Sequence, residues 1–174
     1  KKNKLDLVIA SKKEKDYPKT INQIECFNQK PSIDLKSIFS LLTNKSIYQT
    51  RFQNKKISEV IFEKLKSKKY DFIFVEGLPA MSLINFSSQA PIWLDEHNVE
   101  SSLMKQNSML DNSILKKALY RLESNALKQW EIKCLQASKF TSFCSDIDID
   151  SINSSIDSIL LDSKNSGVID NTTS

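Results

Sequence analysis

The chain holds only two glycines in 174 residues, Gly77 and Gly167. Loops that cradle phosphates are built on glycine, because their backbone must approach the ligand closely and take positive φ. No G-x-G-x-x-G and no Walker pattern occurs in the sequence, which excludes the usual glycine-built nucleotide loops. Arginine is almost missing as well: Arg51 and Arg121 stand among 25 basic residues, the rest being lysine, and 21 acidic residues reduce the net charge to +4. That excess is mild and lacks the arginine forks of a nucleic-acid binder, so nucleic acid is not an expected partner. The three cysteines, Cys26, Cys134 and Cys144, are odd in number and widely spaced. They argue against a disulfide framework or a metal site and for reduced thiols in a cytosolic compartment. No apolar run approaches the ~20 residues that span a bilayer, and no secretory signal opens the chain. The expectation is a cytoplasmic protein that is either soluble or peripheral to a membrane.

What the chain does contain is enough for one globular domain, with 40% hydrophobic and 26% charged residues. It opens at once on a strand pattern, "KKNKLDLVIAS", with Leu5 to Ala10 as a buried strand. A first strand and its loop are therefore expected to be missing upstream. Gln23 to Phe27 reads as a second, weaker strand. Asp34 is placed to cap a helix through "LKSIFSLLT", while "SIYQTRF" fits strand or loop. The segment "KKISEVIFEKLKSKK" is helical, with Ile57, Val60, Ile61 and Leu65 on one face. "YDFIFVEG" and "APIWLDE" are short apolar runs of the kind covered on both faces in a parallel sheet. Between them Pro79 fits the first turn of a helix, "PAMSLINFSS". Alternating strands and helices predict a Rossmann-like, doubly wound α/β fold, its sheet mostly parallel and flanked by helices on both faces. The domain is expected over residues 1–162, followed by a polar tail or linker at 163–174.

In such sheets ligands bind beyond the carboxyl ends of the strands. Glu76 and Gly77 end one strand; Asp95, Glu96, His97, Asn98 and Glu100 follow the next, and His97 is the only histidine. Two readings are open. In one, Asp95 caps the following helix and His97 is a solvent-facing loop residue; in the other, both clusters meet at one sheet edge as a binding site. Further on, "NSILKKALYRLESNALKQWEIKCLQA" is a long amphipathic helix. Leu115, Ala118, Leu119, Leu122, Ala126, Leu127 and Trp130 form its apolar stripe, flanked by Lys116, Lys117, Arg121, Lys128 and Lys133. That flank, with the lysines of 55–69, suits either plain solvation or an anionic membrane surface. A last strand, "KFTSFCSDIDIDSI", ends at a Ser-Asp helix start.

The order of these segments resembles the N-terminal domain of family-4 retaining glycosyltransferases, one half of a GT-B fold. The matching stretches are "NKSIYQTRFQNKKISEVIFEKL", "YDFIFVEGLPAMSL", "PIWLDEHNVES", "YRLESNALKQWEIKCLQASKF" and "SFCSDIDIDSI", over roughly Lys4 to Asp162. The resemblance implies the acceptor-binding domain of a nucleotide-sugar-dependent enzyme, bacterial, serving surface polysaccharide or glycolipid synthesis. It implies His97 as the catalytic residue facing the cleft, with Glu76, Gly77, Asp95, Glu96, Asn98 and Glu100 as substrate-binding residues. Arg121, Glu123 and Ser145 are expected to support the helix and the cleft. No metal and no cofactor of this domain's own is implied; the nucleotide sugar is a co-substrate held by a missing C-terminal donor domain. The acceptor is a sugar or a lipid-linked sugar, and activity is not expected from this half alone. Two features depart from the family pattern. No glycine-rich loop follows the first strand, and the Glu-x7-Glu spacing of the family's donor domain occurs here as Glu123 and Glu131, on a helix of the wrong domain. A non-catalytic α/β binding or regulatory module is the competing reading.

Overall fold

The computed structural model describes residues 5–10, 21–27, 35–87 and 90–165. Strands β1 (Leu5–Ala10) and β2 (Ile21–Phe27) pair in parallel as a two-stranded sheet. Helix α1 (Leu35–Phe39) runs into a 3-10 turn at Ser40–Thr43, and α2 (Ile47–Phe52) and α3 (Lys55–Ser67) follow. Then come β3 (Ile73–Glu76), α4 (Leu78–Met81), β4 (Ile92–Glu96), α5 (Glu100–Leu110), α6 (Ile114–Ala137), β5 (Phe140–Phe143) and α7 (Asp146–Asn165). Strands β3, β4 and β5 make a second parallel sheet in that order. The α/β class and the parallel pairing agree with the reading of the sequence.

The single continuous sheet does not. What joins β1 to β3 is a side-chain tie rather than a ladder: Lys68 Nζ and Tyr70 Oη both donate to Asp6 Oδ2, at 2.7 and 2.8 Å. Nor do the described helices cover both faces of the β3–β4–β5 sheet. On one face Val75, Ile92 and Leu94 pack with Leu78, Met81, Leu127 and Cys134 into the core. On the other, Phe72, Phe74, Trp93 and Phe140 stay exposed. Their rings pack sideways instead, Trp93 lying 5.8 Å from Phe74 and 6.2 Å from Phe140. Continuous apolar runs thus arise here without two covering layers, because aromatic side chains can shelter one another along a sheet.

Several boundaries also move. "SIYQTRF" is helical in α2, started by Ser46, whose hydroxyl accepts from Gln49 N. The helix expected over "PAMSLINFSS" shortens to Leu78–Met81, with Pro79 in its first turn as expected. Helix α5 was not foreseen as an element of its own, and α7 runs over Asp146–Asn165. The supposed cap Asp34 and the residues from 166 onward, Gly167 included, lie outside the described residues. Along α6 the foreseen apolar stripe is half right. Ala126 and Leu127 are buried, but Leu115, Leu119 and Leu122 are exposed. The buried face of this helix carries Glu123, Ser124 and Glu131 beside Ala126, Leu127, Ile132 and Cys134.

Candidate functional site

The register of the larger sheet builds the site. Glu76 pairs with Asp95 across β3 and β4, and Gly77 N donates to Asp95 O at 2.9 Å. Both strands therefore end together, and the chain leaves them on one edge. Gly77 has φ 77° and ψ 158°, a region open essentially to glycine, which turns β3 sharply into α4. One of the two glycines is thus spent on this edge. Strand β4 alternates, sending Ile92, Leu94 and Glu96 into the interior and Trp93 and Asp95 to the other face. His97 is the first residue beyond it.

A cavity of about 260 Å³ opens at this edge, lined by Tyr48, Glu76, Gly77, Leu78, Pro79, Glu96, His97, Asn98 and Glu100. Six of the expected site residues, Glu76, Gly77, Glu96, His97, Asn98 and Glu100, meet here. The imidazole of His97, half exposed, lies 3.8 Å from Glu76 Oε1 and 3.5 Å from Asp95 Oδ2. Asp95 does not cap a helix. Its Oδ1 accepts from Ser142 Oγ at 2.5 Å, and Ser142 Oγ in turn accepts from Trp93 Nε1 at 3.2 Å. The N-cap position of α5 belongs to Val99.

Glu96 is 3% exposed and lines the cavity. Burial, reinforced by the charges of Glu131, Glu100, Asp148 and Asp95, pushes it up to about 8. Burial also raises Glu100, whose Oε1 accepts from Tyr48 Oη at 3.1 Å. The Tyr48 phenol is raised by its own burial and by Glu100. Tyr48 is a lining residue that the sequence did not single out, since it comes from a stretch read as strand or loop.

The expected supporting residues lie elsewhere. Arg121 is exposed on α6 and outside the cavity. Ser145 starts α7, its hydroxyl accepting from Asp148 N. Glu123 is buried and accepts from Ile47 N and Tyr48 N at 2.7 and 2.8 Å, closing the N-terminus of α2. Glu131, also buried, accepts from Ser101 N at 3.0 Å and from Ser101 Oγ, closing the N-terminus of α5. The spacing of Glu123 and Glu131 therefore serves two helix starts on one buried face. Glu123 reaches the site only indirectly, by fixing the helix that carries Tyr48.

Cys134 cannot serve as a nucleophile, because burial first, and then the charges of Glu96 and Glu131, hold its thiol protonated. Among the described residues no group of His, Cys, Asp and Glu could hold a metal ion. A second cavity, of about 330 Å³ between α3 and the turn after α4, offers Lys55 and Glu59 at its rim and no histidine. No family model matches the chain, and neither the curated proteins nor the solved structures give a match.

Proposed function

We propose that the chain is the acceptor-binding half of a nucleotide-sugar-dependent retaining glycosyltransferase, working with a C-terminal domain that holds the donor. The observation that carries this reading is the composition of the edge cavity. It gathers Glu76, Glu96 and Glu100 around His97 and Asn98, and among the described residues no lysine or arginine lines it. Such a lining suits sugar hydroxyls, which both donate and accept, and repels a diphosphate. During transfer the anomeric carbon becomes oxocarbenium-like as the diphosphate departs, and Glu76 beside His97 favours that positive charge, while the protonated carboxyl of Glu96 is a hydrogen-bond partner for a hydroxyl. His97, held between Glu76 and Asp95, is the group to meet a hydroxyl at the mouth of the cavity. A binding module without catalysis would need only the cavity.

Saturation-transfer NMR on the chain, with a panel of monosaccharides and disaccharides beside a uridine diphosphate, separates these cases. Signal on sugar protons and none on the uridine is expected, weakened by His97→Ala without a change in melting temperature. Joined to its donor domain, the His97→Ala protein should lose about 100-fold in kcat/KM, the scale of one transition-state donor. Uridine signal on this chain, or full activity without His97, would end the reading.

A membrane-facing acceptor side is part of the proposal, and the corner between α5 and α6 supports it. Met109, Leu110, Ile114 and Leu115 are 64–86% exposed there, next to the exposed Lys116. The lysines foreseen as one flank divide, Lys116 being exposed while Lys117 and Lys128 are half-buried. The apolar corner replaces the flank as the contact. Among the described residues no helix is long and apolar enough to cross a membrane. Co-sedimentation with phosphatidylglycerol vesicles should fall at least about tenfold when Leu110 and Ile114 become serine, since two apolar side chains leave the lipid boundary. Equal recovery of wild type and variant, or of neutral and anionic vesicles, would refute the contact.

A further inference from the structure

We propose that Ser142 and Trp93 are positioning residues for His97: through Asp95 they keep the proton of the neutral imidazole on Nδ1, so that Nε2 accepts from a sugar hydroxyl at the cavity mouth. The proposal rests on the sugar-binding reading above and fixes the direction of its central hydrogen bond.

The strand register brings the three residues together. Trp93 and Asp95 lie two positions apart on β4, and Ser142 on β5 is the register partner of Asp95, so all three share the sheet face turned away from the core. An indole N–H can only donate, which makes Ser142 Oγ the acceptor of Trp93 Nε1 at 3.2 Å. The serine's own proton is then left for Asp95 Oδ1, at 2.5 Å. Asp95 is held by that oxygen and turns the other, Oδ2, to His97 Nδ1 at 3.5 Å.

Two carboxylates compete for the single proton of a neutral ring. Asp95 faces Nδ1, and Glu76 faces Nε2 with its Oε1 at 3.8 Å. Asp95 is the nearer of the two. Its side chain is 28% exposed against 78% for Glu76, so water screens it less. The hydrogen bond from Ser142 also fixes its orientation, and a carboxylate oriented in this way sets which ring nitrogen is protonated. With the proton on Nδ1, Nε2 keeps its lone pair beside Glu76, which lines the cavity with His97. A hydroxyl that donates to Nε2 gains electron density on its oxygen, the atom that must attack the anomeric carbon. The opposite tautomer would donate to that oxygen and withdraw density from it.

His97 is the only histidine, so heteronuclear NMR of the imidazole nitrogens in the full chain reads this tautomer without overlap. In alkaline buffer, where the ring is neutral, the wild type should show a protonated Nδ1 and a bare Nε2. Asp95→Asn should exchange the two signals: the Ser142 proton still holds the side-chain oxygen, so the amide nitrogen faces Nδ1 and donates to it, the change that gives a Ser-His-Asp triad the wrong tautomer. Adding Ser142→Ala to Asp95→Asn frees the amide to turn over, and both signals should move back toward the average of exchanging tautomers. Ser142→Ala alone should weaken the Nδ1 preference, and Ser142→Thr, which keeps the hydroxyl, should restore it. Trp93→Phe, which removes the N–H and keeps a ring in place, should weaken it as well, and melting curves report that each variant is folded. A serine that only supported the sheet would leave the imidazole signals unmoved. A wild-type proton on Nε2, or an Asp95→Asn spectrum indifferent to Ser142→Ala, overturns the proposal. Because the tautomer is read with no sugar present, a failure of saccharide binding would overturn the transferase reading while these spectra still decide the role of Ser142.

Discussion

Glu131→Ala is expected to lower the melting temperature by roughly 10 °C, the largest loss foreseen for any single change in the chain. Glu131 is 2% exposed, and its carboxyl takes the amide and hydroxyl of Ser101 as well as the amide of Glu100. These donors are the first turn of α5, which no other helix residue can satisfy. Truncation leaves them buried without an acceptor and opens a cavity beside Cys134, which the Glu131 charge reaches. The two costs together come to about 3–5 kcal/mol. Glu131→Gln keeps the shape and one acceptor oxygen, so it should cost about 1–2 kcal/mol. Glu123→Ala does the same to α2, by exposing Ile47 N and Tyr48 N. Arg121→Ala, exposed on the same helix, should stay within about 0.5 kcal/mol. Thermal melts followed by circular dichroism check the series. If Glu131→Ala melts with Arg121→Ala, the capping account is wrong.

Both glutamates explain why parts of the fold were hidden in the sequence. Strands β3 and β4 were legible because their apolar runs are short, dense and bounded by turns. Helix α2 was not, since its residues Ile47 to Phe52 are rich in β-branched and aromatic types, and its start is closed by a carboxylate 76 positions away. A window of local sequence cannot contain that partner. Helix α5 turns Ser101 and Ser108 inward, so it shows no apolar stripe to read. On α6 the rule that apolar residues lie inside pointed to Leu115 and Leu122, while Glu123, Ser124 and Glu131 occupy the buried face. Polar residues that cap distant helices invert the pattern from which amphipathicity is inferred.

The candidate site was legible to a greater degree, and for a topological reason. Parallel strands that end in register bring their exits together whatever the residues are, so Glu76, Gly77 and the run from Glu96 to Glu100 had to share an edge once β3 and β4 were paired. What pairing alone could not tell was the depth of each side chain. Glu96 and His97 are adjacent in sequence, yet one is buried and the other is half exposed, because β4 runs two residues further than its apolar stretch and turns Glu96 to the buried face. Tyr48 enters through α2 and inherits the same illegibility as that helix. The exposed aromatic face around Trp93 had a sequence signal, four rings within and beside the strands, that was equally compatible with a covered layer.

The chain should also become less stable as pH rises from about 5 to about 8, against the usual behaviour of a protein held by paired carboxylates. The glutamates responsible are Glu96, pushed up to about 8, and Glu131, pushed up to about 7, each by burial first; Glu100 and Glu123 are raised in the same direction. Once unfolded, these groups release their protons near the ordinary value of 4.5. Between that value and the folded one, the native chain holds more protons than the unfolded chain, so each rise in pH favours unfolding. The contribution is complete at the acid end of this window and is lost as pH passes through the folded values. For a group as buried as Glu96 the loss is on the order of a few kcal/mol, because each tenfold change in proton affinity is worth about 1.4 kcal/mol. Glu96→Gln keeps a neutral side chain of the same size in place at every pH. The variant should therefore match the wild type near pH 5 and exceed it in stability near pH 8, where the wild type must either ionise a buried carboxyl or hold its proton against the solvent. Urea unfolding at a series of pH values measures the slope directly. A wild type that gains stability between pH 5 and 8, or a Glu96→Gln variant with an unchanged slope, would place the ionisation of Glu96 outside the fold's energetics and remove it from the cavity's account.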